Sequence, residues 1–269
     1  MKVHHIITIG WILSALTACS HVDEDERLIY VAPSEVNRAV LIEDFTGQRC
    51  VNCPNATAEI EKLREEYGAD HVIAVGIHSG PFGHRSTMSS PRMPLTTEIG
   101  DSYYRHWGIE MQPGAMVNRT GVIYNPSRYA AAVSKAIETP TPLTLRVSDI
   151  SIEYGQMTVV VEALSAEAVS GKLQVWMTED NIVGTQYMPD GSSNPEYVHR
   201  HVFRTSITAD NFGDPFNVTA TEPATAVYTV YLDEAWKLAD LNVVAFVYSD
   251  TEGVLQATVK AVEPILKTK

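Results

Sequence analysis

The chain has 269 residues and a formal net charge of −13 at neutral pH, from 20 Lys and Arg and 33 Asp and Glu. This acidity argues against nucleic acid as a partner and against electrostatic docking on anionic lipid. The three cysteines are too few for a disulfide framework, whereas the length is sufficient for two domains.

The first 18 residues have the composition of a secretory leader, with a basic start at Lys2 and a long apolar run after it. The tetrapeptide Leu-Thr-Ala-Cys that ends at Cys19 resembles the lipobox of bacterial lipoproteins. This resemblance implies cleavage before Cys19 and attachment of lipid to its thiol; an ordinary secretory signal is the alternative. No other stretch approaches the ~20 apolar residues of a membrane-spanning helix. We therefore predict a lipoprotein signal peptide at residues 1–18 and a membrane contact made through lipid.

Residues 19–38 are polar, lack periodicity and include four consecutive acids. This composition predicts a solvated acidic tether. Acidic residues just after the lipid-bearing cysteine also resemble the surface-export signal of Bacteroidetes lipoproteins, which implies exposure on the cell surface.

Between residues 39 and 138 the pattern alternates between strands and helices. Apolar runs at 40–45 and 72–77 predict buried parallel strands, and helical spacing from 56 to 67 predicts an amphipathic helix between them. A helix at 96–107, a hairpin with strands at 115–117 and 122–124, and a last helix after Asn125-Pro126 follow in the chain. The order β-α-β-α-β-β-α resembles the thioredoxin fold.

The motif Cys50-Val51-Asn52-Cys53 lies between the first strand and the first helix. The unpaired N–H groups and the positive dipole end of a helix N-terminus favour a thiolate over a thiol. C-x-x-C alone is a weak signal, and its position between a strand and a helix strengthens it. Asp44 lies in the otherwise apolar first strand, so we expect it to be buried and its pKa to be raised by desolvation.

The resemblance to thioredoxins assigns further roles. It implies that Cys50 and Cys53 are the redox pair, that Asp44 relays protons, and that Pro113 is the cis-proline beside the disulfide. The chain departs from the family at Arg49, where an aromatic residue is usual, and it lacks the lysine that would pair with Asp44.

Longer motifs are similar to those of the Omp28-related outer-membrane lipoproteins of Bacteroidetes. They lie, in the order found in that family, at residues 43–54, 78–82, 112–119 and 197–202. The resemblance implies an outer-membrane lipoprotein with a thioredoxin-like domain, and it implies no settled activity.

Residues 79–105 form an insertion that is rich in glycine and proline and lies beside the expected cysteine face. It has two interpretations, a lid that selects substrates or a surface loop with no binding role.

The sequence Thr139-Pro140-Thr141-Pro142 indicates a domain boundary, because paired prolines favour an extended spacer. Beyond it the apolar residues alternate with period two, and some eight short strands, one of them at 199–207, predict an antiparallel β-sandwich over residues 143–269. The predicted fold class is therefore α/β plus all-β, a thioredoxin-like domain followed by an immunoglobulin-like sandwich.

Two groups of histidines are candidate metal ligands. His199 and His201 would share one face of a strand, and His78, His84 and His106 could gather near the cysteines. The first pair has no third ligand close in the sequence, and a zinc site at the second group would compete with a disulfide. We therefore predict no metal, and we also predict no cofactor.

Two functions from different classes remain open. In the first, Cys50 at an exposed helix tip exchanges disulfides with protein thiols outside the cytoplasm, and Cys53 resolves the mixed disulfide. In the second, the pair is only a structural disulfide in a surface adhesion or binding module. The missing aromatic residue and lysine favour the second function, and the retained cysteines and Pro113 favour the first.

Overall fold

The computed structural model describes residues 37–84, 94–220 and 222–263. The predicted signal peptide, the lipidation site Cys19 and nearly all of the predicted tether lie outside these residues, as does the middle of the 79–105 insertion. None of the helices in the described ranges is long and apolar enough to cross a membrane.

The first half of the described chain alternates strands and helices in the predicted order. Its elements are β1 (Val40–Thr46), α1 (Cys53–Tyr67), β2 (Val72–His78), α2 (Glu98–His106), β3 (Gly114–Val117), β4 (Ile123–Tyr124) and α3 (Tyr129–Ile137). β1 pairs with β2 in parallel and with β3 in antiparallel orientation. The apolar stripe of α1, formed by Ala56, Ile60 and Leu63, packs against Val40 and Ile42 of β1, which explains why this helix forms.

The second half consists mainly of strands. They are β5 (Leu143–Glu153), β6 (Gln156–Ser165), β7 (Val169–Glu179), β8 (Ile182–Tyr187), β9 (Ser193–His199), β10 (Val202–Ser206), β11 (Asp214–Val218), β12 (Ala224–Tyr231), β13 (Leu241–Ser249) and β14 (Gly253–Ala261). The described residues therefore form a β-rich fold with one mixed sheet and two antiparallel ones.

The prediction of one strand over residues 199–207 is wrong. β9 ends at His199 and β10 begins at Val202, because His201 has a φ of 53°, which extended strands do not use. Strand β5 is continuous, with an irregularity in its pairing with β6 between Val147 and Asp149.

A nine-stranded sheet joins strands from both sides of the proline-rich spacer. Its order is β14-β13-β7-β10-β2-β1-β3-β4, and β11 pairs with β7. The joining strand is β10, which lies parallel to β2 at Val202 and Gly76 and antiparallel to β7. A three-stranded sheet, β12-β6-β5, packs on the β7 and β13 side through a shared apolar core.

A buried ion pair lies near the middle of the large sheet. The Arg119 guanidinium donates from Nε and Nη2 to the two carboxylate oxygens of Glu43, each at 3.0 Å, and from Nη1 to Gln174 Oε1 at 2.7 Å. The rings around the guanidinium belong to Trp107, Trp176, Phe246 and Tyr248. Since Glu43 is on β1 and Gln174 on β7, the pair connects the two halves of the chain.

Candidate functional site

Cys50 and Cys53 form a disulfide at the start of α1. Cys50 follows a tight turn in which its N–H donates to the Gly47 carbonyl at 3.0 Å, and Pro54 occupies the first turn of the helix. The expectation of an exposed Cys50 is wrong, because its exposed fraction is 3% and that of Cys53 is 2%. Two neighbouring segments cover the pair.

The first covering segment is the β8–β9 hairpin, residues 182–199, which we call the cover hairpin. The buried side-chain amide of Gln186 donates to the carbonyl of Cys50 at 2.8 Å and to that of Gly47 at 3.3 Å. Gln48 forms two further hydrogen bonds with the hairpin main chain, at 2.9 and 3.1 Å. The cysteine turn is therefore held against the hairpin by main-chain and amide groups.

The second covering segment is the short 3-10 turn Gly80–Phe82. The N–H of Arg49 donates to the Phe82 carbonyl at 3.1 Å. A Cβ on Gly47 would lie 2.4 Å from the Phe82 oxygen, so only glycine fits where the two segments meet. This turn is the described start of the predicted insertion.

Pro113 lies at the same end of the sheet as the cysteines. The Gln112–Pro113 peptide bond is cis, and the next residue, Gly114, begins β3 opposite Phe45. The Gln112 side chain donates to the carbonyls of Thr46 at 2.8 Å and Ser79 at 3.0 Å, which fixes this loop to the ends of β1 and β2.

Asp44 is buried in β1, as its apolar neighbours predict, with an exposed fraction of 4%. Among the described residues, nothing donates a hydrogen bond to its Oδ1. Burial without a compensating cation disfavours the carboxylate and raises the pKa of Asp44 to about 7. The group is therefore divided between acid and carboxylate near neutral pH.

A small cavity brings Asp44 and Cys53 together. Its volume is ≈ 30 Å³, room for roughly one or two water molecules. The rings of His78 and His199 also line it and meet edge to face, with centroids 5.2 Å apart. Burial lowers the pKa of His199 to about 4 and that of His78 well below its usual value, so both imidazoles are neutral.

The histidines do not assemble as a metal site would require. β9 ends at His199, so His199 and His201 do not share a strand face, and they contact different partners. His106 packs edge to face against Trp107 and at a tilt against Phe212. Within the described ranges, no three metal-ligating side chains are grouped to hold an ion.

An ionic cluster at the base of the cover hairpin is not predicted by the sequence pattern. His201 Nδ1 lies 3.0 Å from Asp180 Oδ1, its main-chain N–H donates to the same oxygen at 2.6 Å, and its Nε2 lies 3.0 Å from Glu61 Oε1. Burial lowers the pKa of His201, but the hydrogen bonds to Asp180 and Glu61 outweigh it, and the net pKa is raised. The three residues are far apart in the sequence, so no local motif signals the cluster.

Comparisons with known proteins relate most of the chain to a family and to a fold. The family model described as outer membrane protein Omp28 matches residues 100–265, a region that begins after the two cysteines. No curated protein matches the chain significantly.

Two solved structures are similar to parts of the chain. HBP35 of Porphyromonas gingivalis is similar with a TM-score of 0.67 and 19% identity, over 88% of this chain and 80% of its own. A domain of the outer membrane lipoprotein Omp28 from the same organism has a TM-score of 0.35 and 17% identity, over 46% of this chain and 90% of its own. The first comparison relates the β-rich fold of this chain to that of HBP35.

Proposed function

This chain belongs to the Omp28 family of outer membrane proteins, and we propose that it exchanges thiols and disulfides there through Cys50 and Cys53. The observation that carries the proposal is that Asp44, a buried carboxyl group with a pKa of about 7, lines the same small cavity as Cys53. A proton donor and acceptor that shares a cavity with one cysteine of a disulfide has a direct use in thiol chemistry.

The topology supports a thioredoxin-like domain over residues 39–138. The strand order β2-β1-β3-β4, the helix that begins at the second cysteine and the cis peptide bond before Pro113 all match the expectation from that fold. The β12-β6-β5 sheet packed on β7 and β13 supports an immunoglobulin-like sandwich over residues 143–269.

In the proposed reaction, a thiolate of a partner protein attacks Sγ of Cys50. The Cys50–Cys53 bond breaks, and Cys53 leaves as a thiolate that takes a proton from the Asp44 carboxylic acid. The second thiol of the partner then attacks the mixed disulfide and releases Cys50. Two partner thiols are thereby oxidised to a disulfide, and the two cysteines of this chain are reduced.

The pKa of Asp44 suits both directions of this reaction. Near neutral pH the carboxylic acid can protonate the leaving Cys53, and the carboxylate can remove the proton again when the dithiol is reoxidised. A carboxyl group with an ordinary pKa near 4 would be almost fully ionised at that pH and could not donate.

A structural disulfide in a surface binding module is the competing proposal. The burial of both cysteines favours it, because a partner thiolate needs access to one sulfur. The reduction potential of the full chain without its leader, equilibrated in glutathione buffers, separates the two proposals. Exchange predicts a value between about −120 and −270 mV, and a value below about −300 mV would identify a structural disulfide.

We further propose that lipid on Cys19 holds the chain to the outer membrane and that its partners are protein thiols or disulfides. The lipobox-like tetrapeptide supports the first part, and the acidic charge of the chain supports a membrane contact that does not depend on basic residues.

A further inference from the structure

The cover hairpin has few apolar contacts to hold it in place. Its two strands pair only with each other within the described chain, and isolated two-stranded sheets have marginal stability in water. The facing side chains of Val183 and Val198 are both exposed, at 57% and 42%. In contrast to these two valines, Ile182 at the base of the hairpin is buried.

Polar contacts hold the hairpin to the cysteine turn. Gln186 is the central one, because its buried amide donates to two carbonyls of that turn, Gly47 and Cys50. The carbonyl of Gln48 accepts from the N–H of Tyr187, and its side chain donates to the carbonyl of Thr185. Water can replace each of these hydrogen bonds when the hairpin lifts, so their net contribution to holding the hairpin closed is modest.

We propose that Gln186 is a positioning residue that keeps the disulfide closed to bulky thiols, and that exchange requires a partner protein that displaces the cover hairpin. The inference rests on the proposed function and names what controls access to the same site. It explains how a disulfide with both sulfurs buried can serve in exchange: the closed form is the resting state, and the hairpin opens about its base.

The first test compares reductants of different size. Wild type and Gln186→Glu, which keeps the side-chain size but loses the amide donors, are reduced by dithiothreitol and by a reduced thioredoxin. In either case the reductant becomes a disulfide and the two cysteines become thiols. Because two ordinary hydrogen bonds are lost, we expect roughly tenfold faster reduction by the protein reductant. The acceleration with dithiothreitol should be smaller.

Val183→Ala is the matched control, since this side chain is on the same hairpin and is exposed to solvent. It should leave both rates unchanged. Equal rates in wild type and Gln186→Glu, or an acceleration that is the same for both reductants, would overturn the proposal. If Gln186→Glu changes only the thermal stability, in either direction, Gln186 has a purely structural role, and the proposal is overturned in that case too.

A second measurement needs no variant, in case Gln186→Glu fails to fold. Hydrogen exchange of the wild-type protein should show the main-chain amides of residues 182–199 opening far more readily than those of β7 and β13. If the hairpin amides exchange only with global unfolding, no gate exists. These tests report only on access to the disulfide. A reduction potential typical of a structural disulfide would refute the proposed exchange, but it would not refute the opening of the cover hairpin.

Discussion

His201 Nε2 lies 3.0 Å from Glu61 Oε1, a contact between the base of the cover hairpin and the helix that begins at Cys53. Asp180, on the other ring nitrogen, precedes the first strand of the hairpin, so the imidazole connects both of its ends to α1. Arg64 also faces the ring and opposes its protonation. The hydrogen bond with His201 lowers the pKa of Glu61 to about 2, as expected for a carboxylate beside a cation.

The His201 cluster predicts a pH-dependent contribution to stability. Because the folded-state pKa of His201 is raised, this contribution is fully present below the usual value of 6.5 and is lost as the pH rises through the raised value. We expect His201→Asn to remove roughly 1 kcal/mol at low pH and less at high pH. Denaturant unfolding between about pH 5 and pH 9 checks this, and a pH-independent difference between variant and wild type would contradict it.

Asp44 predicts a second pH effect. Its folded-state pKa is raised from 3.8 to about 7, so stability is greatest below the unfolded value and falls as the pH rises to about 7. Asp44→Asn should therefore stabilise the protein above neutral pH, by up to about 4 kcal/mol, with little effect at about pH 4. Asp44→Asn should also slow thiol–disulfide exchange near neutral pH. Unfolding curves at the two pH values provide the internal control, and a variant less stable than wild type at high pH would refute the assigned environment.

The buried pair of Glu43 and Arg119 predicts a large loss of stability when one partner is removed. Glu43→Gln leaves the guanidinium without its anion in a site closed to water, which should lower the unfolding free energy by roughly 3 kcal/mol or more. Glu162→Gln is the matched control, since its partner Arg146 is exposed, and this variant should lower the unfolding free energy far less than Glu43→Gln does. Similar losses in the two variants would show that burial does not set the strength of the first pair.

The reverse of the proposed reaction, in which the Cys50 thiolate attacks a partner disulfide and Cys53 resolves the adduct, predicts an asymmetry between two variants. Cys53→Ser keeps the attacking thiol and removes the resolving one, so it should accumulate mixed disulfides through Cys50. Cys50→Ser should trap nothing. Non-reducing electrophoresis after acid quenching of the native host reports the adducts, and the absence of thiol-sensitive high-mass species in Cys53→Ser would favour the structural disulfide.

The lipid anchor predicts a change in cell fractionation. Cys19→Ser should release the protein from the membrane fraction, because acyl chains supply the hydrophobic attachment. A high-salt wash of the membranes removes electrostatic attachment and serves as the control. A variant that stays with the washed membranes would exclude Cys19 as the anchor.

Local patterns in the sequence predict most elements of the first half of the chain. The apolar runs at Val40–Thr46 and Val72–His78 and the stripe of α1 each follow one periodicity, and the burial of Asp44 follows from its apolar neighbours. The sequence does not predict strands β8, β9 and β11, because they are short and polar side chains occupy many of their positions. Propensity and alternation are weak signals in such segments.

The closure of the site could not be predicted, since it depends on contacts between residues far apart in the sequence. Gln186 reaches the carbonyl of Cys50 across 136 positions, and His201 reaches Glu61 across 140. A glutamine in a short strand has no feature that indicates its partner. The expected exposure of Cys50 followed only from its position at the tip of a helix. The hairpin that covers Cys50 is not indicated by the alternation of apolar and polar residues in the sequence.

The parallel contact of β10 with β2 has a consequence for how such chains can be inherited. A gene fragment that ends near residue 140 would encode β2 without the strand that covers its outer edge at Gly76, and the product would present an unpaired edge beside buried apolar side chains. The fragment that begins after the spacer would contain β10 without β2, the strand with which it pairs. Recombination at the spacer would thus separate two strand edges that cover each other, and each product would be prone to aggregation.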